Sequence, residues 1–286
     1  MKKQKTALLV LPALLISLSV VLFPGILTVL TSFTDFNGLS FDFNFIGLKN
    51  FQELFADRFF RLSFRNNFVW SCTYMIVPVG IALLISYLLC RRQRGRNVYQ
   101  VLFLIPYVLA PITNAIIWMN AIYSPVTGFV SILKSWGLPL TSPLSSIQGA
   151  LFGVAAVDIW HYWGFLMVVF LAAFRQTPQD QVEVAMVEGC NGWQMFRYVY
   201  FPSMLPTFRL MFIMVLIFSF QSFDYIWLMT GGGPAHATEL LSTYSYRFAF
   251  KMFQFGKAAS VALFMCIFGL IASCIYVCLS KKENMV

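Results

Sequence analysis

The run GALFGVAAVDIWHYWGFLMVVFLAA, residues 149–173, decides the class of fold. It is an apolar stretch that carries a single charged residue, Asp158. A helix needs about 20 apolar residues to cross a bilayer, so this run predicts a membrane span. Over the whole chain 59% of the residues are hydrophobic and 11% are charged, whereas soluble domains carry about 25% charged residues. The composition therefore excludes a soluble globular protein.

Further apolar blocks of the same kind precede and follow this run. We predict an all-α membrane protein with six transmembrane helices. The predicted spans are Leu8–Thr31, Asn67–Leu89, Val101–Ile122, Gly149–Ala173, Leu210–Met229 and Ala258–Leu279. The first block follows a basic start, as a signal peptide does, but it exceeds the usual apolar region and has no small-residue cleavage site. We therefore interpret it as an uncleaved span.

The net charge of +9 is distributed unevenly between the loops. One set of loops is about twice as dense in basic residues as the other. The dense set contains Lys2, Lys3, Lys5, Arg91, Arg92, Arg94, Arg96, Arg175, Arg197, Lys281 and Lys282. Basic residues accumulate on the cytoplasmic side of membrane proteins, so both termini are predicted to be cytoplasmic. This placement favours a membrane lipid surface rather than nucleic acid as the partner of the positive charge.

The six cysteines lie in or beside the predicted spans. None forms a CxxC pair, and Cys274 and Cys278 have the spacing of one helical turn, which is typical of packing by small residues. We therefore predict neither a disulfide nor a metal site.

The segment Asn50–Asn66 follows the first span and places Phe51, Leu54, Phe55 and Leu62 on one helical face. Arginines occupy its other sides. This pattern predicts either a helix that lies on the outer membrane surface or a plain connecting helix.

The loop Arg175–Pro206 is too long for a simple turn and carries its own helix signals. Thr177 and Pro178 predict the start of a helix over Pro178–Glu188, and Gly189 predicts its end in a left-handed conformation. Asn191 and Gln194 have capping-box spacing and predict a second helix that ends before Pro202. Two short helices presented to the cytosol indicate a soluble partner.

The same loop reads Glu183-Val184-Ala185, then Gly189, and further on Val199-Tyr200-Phe201-Pro202. This resembles the EAA signature of binding-protein-dependent ABC importer permeases, with conservative changes at Val184, Val199 and Phe201. In that family the first loop helix couples the permease to its ATPase. The resemblance implies coupling roles for Glu183, Ala185 and Gly189.

Three other stretches resemble sugar permeases of the maltose and glycerol-phosphate type. They are residues 228–250, FIGLKNF at 45–51 and FLIPY at 103–107. The resemblance covers about residues 8–280 and matches the short members of the family. It implies the ABC type-1 importer permease fold, with a span and outer amphipathic segment in residues 1–66. Residues 67–280 then form the transmembrane domain, which contains the coupling loop 175–206.

The resemblance also implies a set of partners in a bacterial cytoplasmic membrane. They are a second homologous permease, two cytoplasmic ATPase subunits and a periplasmic or lipid-anchored sugar-binding protein. The chain has no GxxxxGK[ST] loop with which to cradle nucleotide phosphates. It is therefore expected to be a non-catalytic subunit without a cofactor, and ATP and Mg²⁺ are expected on the partner ATPase.

Asp158 and Asp224 are carboxylates within apolar spans, where such groups are costly and indicate function. For Asp224 a helix-end or packing role is an equal alternative. Aromatic and polar residues alternate around Asp158, which suits sugar binding but also an interfacial aromatic belt. The resemblance to the maltose-type permeases places the substrate pathway on the spans that flank the coupling loop. Matching through Trp160, it points to His161, Tyr162, Phe165, Ser219 and Ser222, and Gln221 is adjacent. Together with the two carboxylates, the predicted pathway residues are Asp158, Trp160, His161, Tyr162, Phe165, Ser219, Gln221, Ser222 and Asp224.

The function predicted from the sequence is import of a mono- or oligosaccharide as the permease subunit of an ATP-driven importer. A permease for a non-sugar solute is the alternative. A secondary transporter would require paired intramembrane charges or an inverted repeat, and neither is evident. A membrane enzyme would show clustered acidic or histidine residues, whereas His161 and Asp158 stand nearly alone.

Overall fold

The computed structural model describes residues 11–40, 42–92, 94–138 and 141–283. Within these ranges the regular elements are helices, with one isolated antiparallel bridge between Thr34 and Phe45. The predicted start of the first span at Leu8 and the lysines before it lie outside the described residues. In chain order the longer helices are α1 (Leu11–Ser32), α2 (Lys49–Ala56), α3 (Arg58–Arg91), α4 (Arg96–Val108), α5 (Pro111–Ile122), α6 (Phe129–Ser135), α7 (Ala150–Phe174), α8 (Gln179–Val187), α9 (residues 192–221), α10 (Asp224–Met229), α11 (Leu241–Phe250) and α12 (Phe255–Glu283).

Five helical stretches in the described part of the chain are long and apolar enough to cross a membrane. They are α1, α3, α7, the α9–α10 stretch and α12. The pair α4 and α5 makes a sixth if it counts as one span. The prediction of an all-α membrane protein is therefore confirmed, and α7 agrees with the predicted span to within one residue at each end.

The α7 helix is the centre of the helical packing. Half of its apolar window is buried inside the protein, compared with none of the α1 window. Gly164 allows this burial, since a Cβ at this position would lie 2.0 Å from the carbonyl oxygen of Phe103 on α4. The α4 backbone thus passes directly against α7, and a larger residue at 164 would force the two helices apart.

The third predicted span, Val101–Ile122, is wrong as a single straight helix. Its two parts, α4 and α5, meet at an angle of 94°. Leu109 and Ala110 are extended at the break, with ψ angles of 137° and 139°. Pro111 is the physical cause, because a proline disfavours helical geometry in the preceding residue and supplies no backbone donor.

The outer segment Asn50–Asn66 is also divided differently from the sequence expectation. Asp57 is extended and ends α2, and its carboxylate accepts a hydrogen bond of 2.8 Å from the backbone N–H of Phe59. Asp57 therefore acts as the N-cap of α3, which starts at Arg58 rather than near Asn67. The second half of the predicted outer segment is thus the first part of the second span.

The chain packs as two compact units. The first contains Met1–Arg61 and Leu241–Ile267, and the second contains Leu62–Leu240 and Phe268–Val286. In the first unit the Asn50 amide donates to the carbonyl oxygens of Ser32 and Thr34 at 2.9 and 2.8 Å. Lys257 approaches Glu53 at 2.8 Å and lowers the pKa of that carboxyl. The sequence analysis placed a domain boundary after residue 66, whereas the packing divides the chain after Arg61, Leu240 and Ile267.

Candidate functional site

The second unit encloses a cavity of about 420 Å³, a volume within the range of small-molecule binding sites. Side chains from α3, α4, α7, α9 and α10 line it. The aromatic lining residues are Trp70, Tyr74, Tyr107, Tyr162, Phe218, Phe223 and Tyr225. The polar lining residues are Asp158, His161, Gln221, Ser222 and Asp224, and Pro111 and Ile226 complete the wall.

The aromatic rings form a connected wall on the α3 and α7 side of the cavity. Trp70 stacks on Tyr74 with ring centroids 5.9 Å apart, and Tyr74 lies 5.6 Å from Tyr162. Tyr107 lies 5.4 Å from His161, which makes an edge contact with Tyr225 at 5.7 Å. Rings held in this way present flat apolar faces and few rotatable bonds, which suits the face of a flat ligand.

Two helix breaks open into the cavity. At the first break, between α4 and α5, the carbonyl oxygen of Leu109 lies 3.2 Å from Nε2 of His161. At the second, between α9 and α10, Ser222 is extended, and its hydroxyl accepts a hydrogen bond of 3.0 Å from the Trp70 indole. Backbone groups released from a helix need such partners. Discontinuous spans of this kind often form solute sites in transporters.

Asp158 and Tyr162 provide the buried polar groups of the wall. The Tyr74 hydroxyl donates to the Asp158 carboxylate at 2.7 Å and so joins α3 to α7. The hydroxyl of Tyr162 is buried and has no hydrogen-bond partner among the described residues. Because buried polar groups nearly always have a partner, this hydroxyl is suited to a ligand that supplies one.

The structure brings six of the nine predicted pathway residues to the cavity. They are Asp158, His161, Tyr162, Gln221, Ser222 and Asp224. Trp160 instead packs against Trp118 with centroids 5.6 Å apart, and Phe165 stacks behind the wall on Tyr107 at 4.8 Å. Ser219 is fully buried and donates to Ser71 at 2.8 Å. These three residues therefore support the helix packing around the cavity rather than line it.

Sequence reasoning missed the contributions of α3 and α4. Trp70 and Tyr74 have the four-residue spacing of one helical face, and Tyr107 follows Pro106 in the FLIPY stretch. The spacing of the α3 pair was visible in the sequence. Nothing in the sequence, however, indicated that this face meets α7, so the pair could not be assigned to the site.

The two-helix loop, residues 175–206, agrees largely with its sequence signals. Gly189 has a φ angle of +77°, and the N–H groups of Gly189 and Cys190 bond the carbonyls of Met186 and Ala185. This is the Schellman ending of a helix. Asn191 and Gln194 form the predicted capping box, with bonds of 2.8 and 2.9 Å.

Two details of the loop differ from the prediction. The first helix begins at Gln179, with Pro178 in the N-cap position, and the Thr177 side chain makes no cap hydrogen bond. The second helix does not end before Pro202, because a π-helical turn at Phe196–Tyr200 continues it into the next span. The wider turn bonds the N–H of Phe201 to the carbonyl of Phe196, so the helix passes into the Pro202 region without a stop.

The loop exposes an apolar and aromatic surface. The exposed fractions are 57% for Val184, 61% for Met186, 89% for Val187, 70% for Trp193 and 72% for Tyr198. Ala185 is buried, whereas Glu183 and Gly189 are exposed. A groove of about 400 Å³ between the two loop helices is lined by Asp180, Gln181, Val184, Ala185, Glu188, Tyr198 and Val199. Exposed apolar surface with a polar rim indicates a protein interaction site.

Tyr87 near the C-terminal end of α3 joins this loop to the spans. Its hydroxyl donates to the carbonyl oxygen of Gly192 at 2.5 Å. Its ring makes edge contacts with Phe174, Phe196 and Tyr200 at 6.1, 5.1 and 5.6 Å. Since α3 and α7 also carry cavity residues, the same two helices contact both the cavity and the loop.

The helices and the cavity define a multi-pass membrane protein of the solute-transport class. Residues 76–284 match the family model described as binding-protein-dependent transport system inner membrane component. The chain is 32% identical over 281 residues to AmyD of Thermoanaerobacterium thermosulfurigenes, a probable starch degradation products transport system permease protein. That match covers 97% of this chain and 94% of AmyD. The chain therefore belongs to the family of binding-protein-dependent ABC importer permeases.

Other similar proteins agree with this assignment. The multiple sugar-binding transport system permease protein MsmF of Streptococcus mutans is 29% identical, over 88% of this chain and 86% of MsmF. Among solved structures, a bacterial ABC transporter that imports the acidic polysaccharide alginate matches with a TM-score of 0.87 and 21% identity. That match covers 98% of this chain and 96% of the transporter chain. It confirms the type-1 permease fold.

Proposed function

We propose that this chain is the permease subunit of an ATP-driven importer that carries a mono- or oligosaccharide across the membrane. The lining of the cavity is the observation that most directly supports this proposal. Aromatic faces from α3 and α7 suit pyranose rings, and the buried Tyr162 hydroxyl together with Asp158 suits sugar hydroxyls. The relatives named for starch products and multiple sugars support the same substrate class.

The second element of the proposal is that two cytoplasmic ATPase subunits dock on the two-helix loop and bind the ATP and Mg²⁺. The exposed surface of Val184, Met186 and Val187 supports this docking role, as does the exposed Glu183 carboxylate in the middle of α8. A second permease and an extracytoplasmic sugar-binding protein complete the importer. A solved alginate importer with the same fold was determined in complex with its periplasmic binding protein, which supports the last partner.

The test of the substrate class is ATP hydrolysis by the assembled importer across a panel of solutes. Neutral mono- and oligosaccharides should stimulate hydrolysis in the presence of the binding protein. A quaternary ammonium compound belongs in the panel, because carboxylates among aromatic rings can also bind cations. Stimulation by that compound alone would overturn the sugar assignment in favour of a non-sugar solute.

The third element is the orientation, with both termini and the two-helix loop in the cytoplasm of a bacterial cell. Single cysteines at Arg94 and Ser142 in a cysteine-free background test it directly. Arg94→Cys should be shielded from an impermeant thiol reagent outside intact cells, whereas Ser142→Cys should be labelled. Labelling at position 94 would contradict the orientation and, with it, the docking role of the loop.

A further inference from the structure

The charges that line the cavity are of one sign. Asp158 and Asp224 are both lining residues, and Asp224 is the more exposed of the two. The described lining residues include no lysine and no arginine. Among the described lining residues His161 carries the only basic nitrogen, and its Nε2 lies 3.2 Å from the Leu109 carbonyl oxygen. The remaining polar groups are uncharged hydroxyls and the Gln221 amide.

We propose that this acid-lined cavity selects uncharged sugars and rejects sugars that carry a carboxylate or a phosphate. The inference rests on the proposed function, since it specifies the substrate class of the same cavity. Asp158 and Asp224 are the specificity-determining residues. Both accept hydrogen bonds from sugar hydroxyls, and the exposed Asp224 carboxylate repels a negatively charged ligand.

The physical basis is the like-charge repulsion at short range. At an effective dielectric constant of about 20, one unit charge about 6 Å from another changes a binding constant on the order of 100-fold. Asp158 accepts the Tyr74 hydrogen bond of 2.7 Å and is therefore a fixed hydrogen-bond acceptor, whereas Asp224 supplies the repelling charge. Asp224 stands at the start of α10, directly after the helix break, and shares the same wall.

The comparison proteins show why this property cannot be read from the fold. The fold is shared with an importer of the acidic polysaccharide alginate, and a relative of Agrobacterium fabrum is named for sn-glycerol-3-phosphate transport. Proteins of one fold can therefore be linked to anionic and to neutral solutes. The side chains in the cavity decide between them, and in this chain those side chains are acidic.

The experiment uses the assembled importer in nanodiscs without its binding protein, so that the selectivity of the binding protein does not enter. Saturation-transfer NMR compares methyl glucoside with methyl glucuronoside, which differs by a carboxylate at C6. The neutral glucoside should bind about 100-fold more tightly than the uronate. Asp224→Asn should bring this ratio close to one, and Asp224→Lys should make the uronate the tighter ligand.

Asp42→Asn is the matched control, because it removes an exposed acid that is not among the lining residues of the cavity and should leave the ratio unchanged. Equal binding of the two glycosides to the wild type would overturn the charge selection while leaving the sugar site intact. A loss of selectivity in Asp42→Asn would also overturn it, since the net charge rather than the cavity would be responsible. Failure of the neutral glucoside to bind would instead contradict the proposed sugar site.

Discussion

The cavity and the two-helix loop belong to the same compact unit but are built in different ways. The loop is assembled from neighbours in the chain, through the capping box of Asn191 and Gln194 and the left-handed turn at Gly189. The cavity brings together Trp70, Asp158 and Tyr225, which are far apart in sequence. The loop presents exposed apolar side chains, whereas the cavity encloses aromatic rings and carboxylates. This difference is what the proposal expects of a loop that docks a protein partner and a cavity that binds a small solute.

The largest effects are expected at the loop. Glu183→Lys should abolish sugar-stimulated ATP hydrolysis, because a reversed charge at a docking interface costs several kcal/mol. Within the permease the Glu183 side chain contacts Gln179 at 3.2 Å and supports no buried contact, so the variant should still insert and assemble. Reconstituted complexes provide the measurement. Full stimulated hydrolysis in this variant would remove the loop from the docking site.

Gly189→Asp should have a similar effect for a different reason. Gly189 has a φ angle of +77°, which costs roughly 1 kcal/mol for a residue with a side chain. Gly137 has a φ angle of +86° and open space around its Cβ position, so Gly137→Asp imposes the same strain outside the loop. Loss of stimulated hydrolysis in the Gly189 variant alone would show that contact with the ATPase, and not backbone strain, is responsible. Equal losses in both would contradict the docking role of Gly189.

Substitutions at the cavity should cause losses of sugar affinity that are intermediate in size. Tyr162→Ala and Ser222→Leu should weaken sugar binding about 5- to 150-fold, which corresponds to about 1–3 kcal/mol for a lost buried hydrogen bond with its unpaired partner. Ser219→Ala is the matched control, because Ser219 bonds Ser71 and lies outside the cavity. It should lower the free energy of unfolding by about 1 kcal/mol and leave sugar affinity unchanged. If Ser219→Ala weakened sugar binding and Ser222→Leu did not, Ser219 rather than Ser222 would belong to the sugar site.

The smallest effect is expected where the two regions are joined. Tyr87→Phe removes the hydrogen bond to the Gly192 carbonyl but keeps the ring in its aromatic contacts. We expect about a fivefold loss of sugar transported per ATP hydrolysed, with assembly and sugar affinity unchanged. Tyr123→Phe removes a similar bond, of 3.0 Å to the Gly153 carbonyl, away from the loop. A change in sugar affinity rather than in the transport ratio would contradict this role of Tyr87.

These regions also show how far the sequence could predict the site. Both ends of the first loop helix were predicted to within a residue or so, because capping signals act over three or four positions. Six of nine pathway residues line the cavity, because α7 turns Asp158, His161 and Tyr162 toward it and the chain from Gln221 to Asp224 passes along it at the helix break. Ser219 was predicted for the pathway but is buried, since it lies within the helix and faces Ser71 on α3, whereas Ser222 lies in the helix break.

The sequence by itself determined that this chain is a helical membrane protein of the ABC importer permease family, and it determined the local form of the loop. Apolar length, charge asymmetry and capping residues are local properties, and they act before any helix meets another. The tertiary structure decided the entry of Trp70 and Tyr74 into the cavity wall and the meeting of Asp158 with Asp224 in one cavity. These features arise only when α3, α7 and α10 pack together, because the packing selects which helical faces meet.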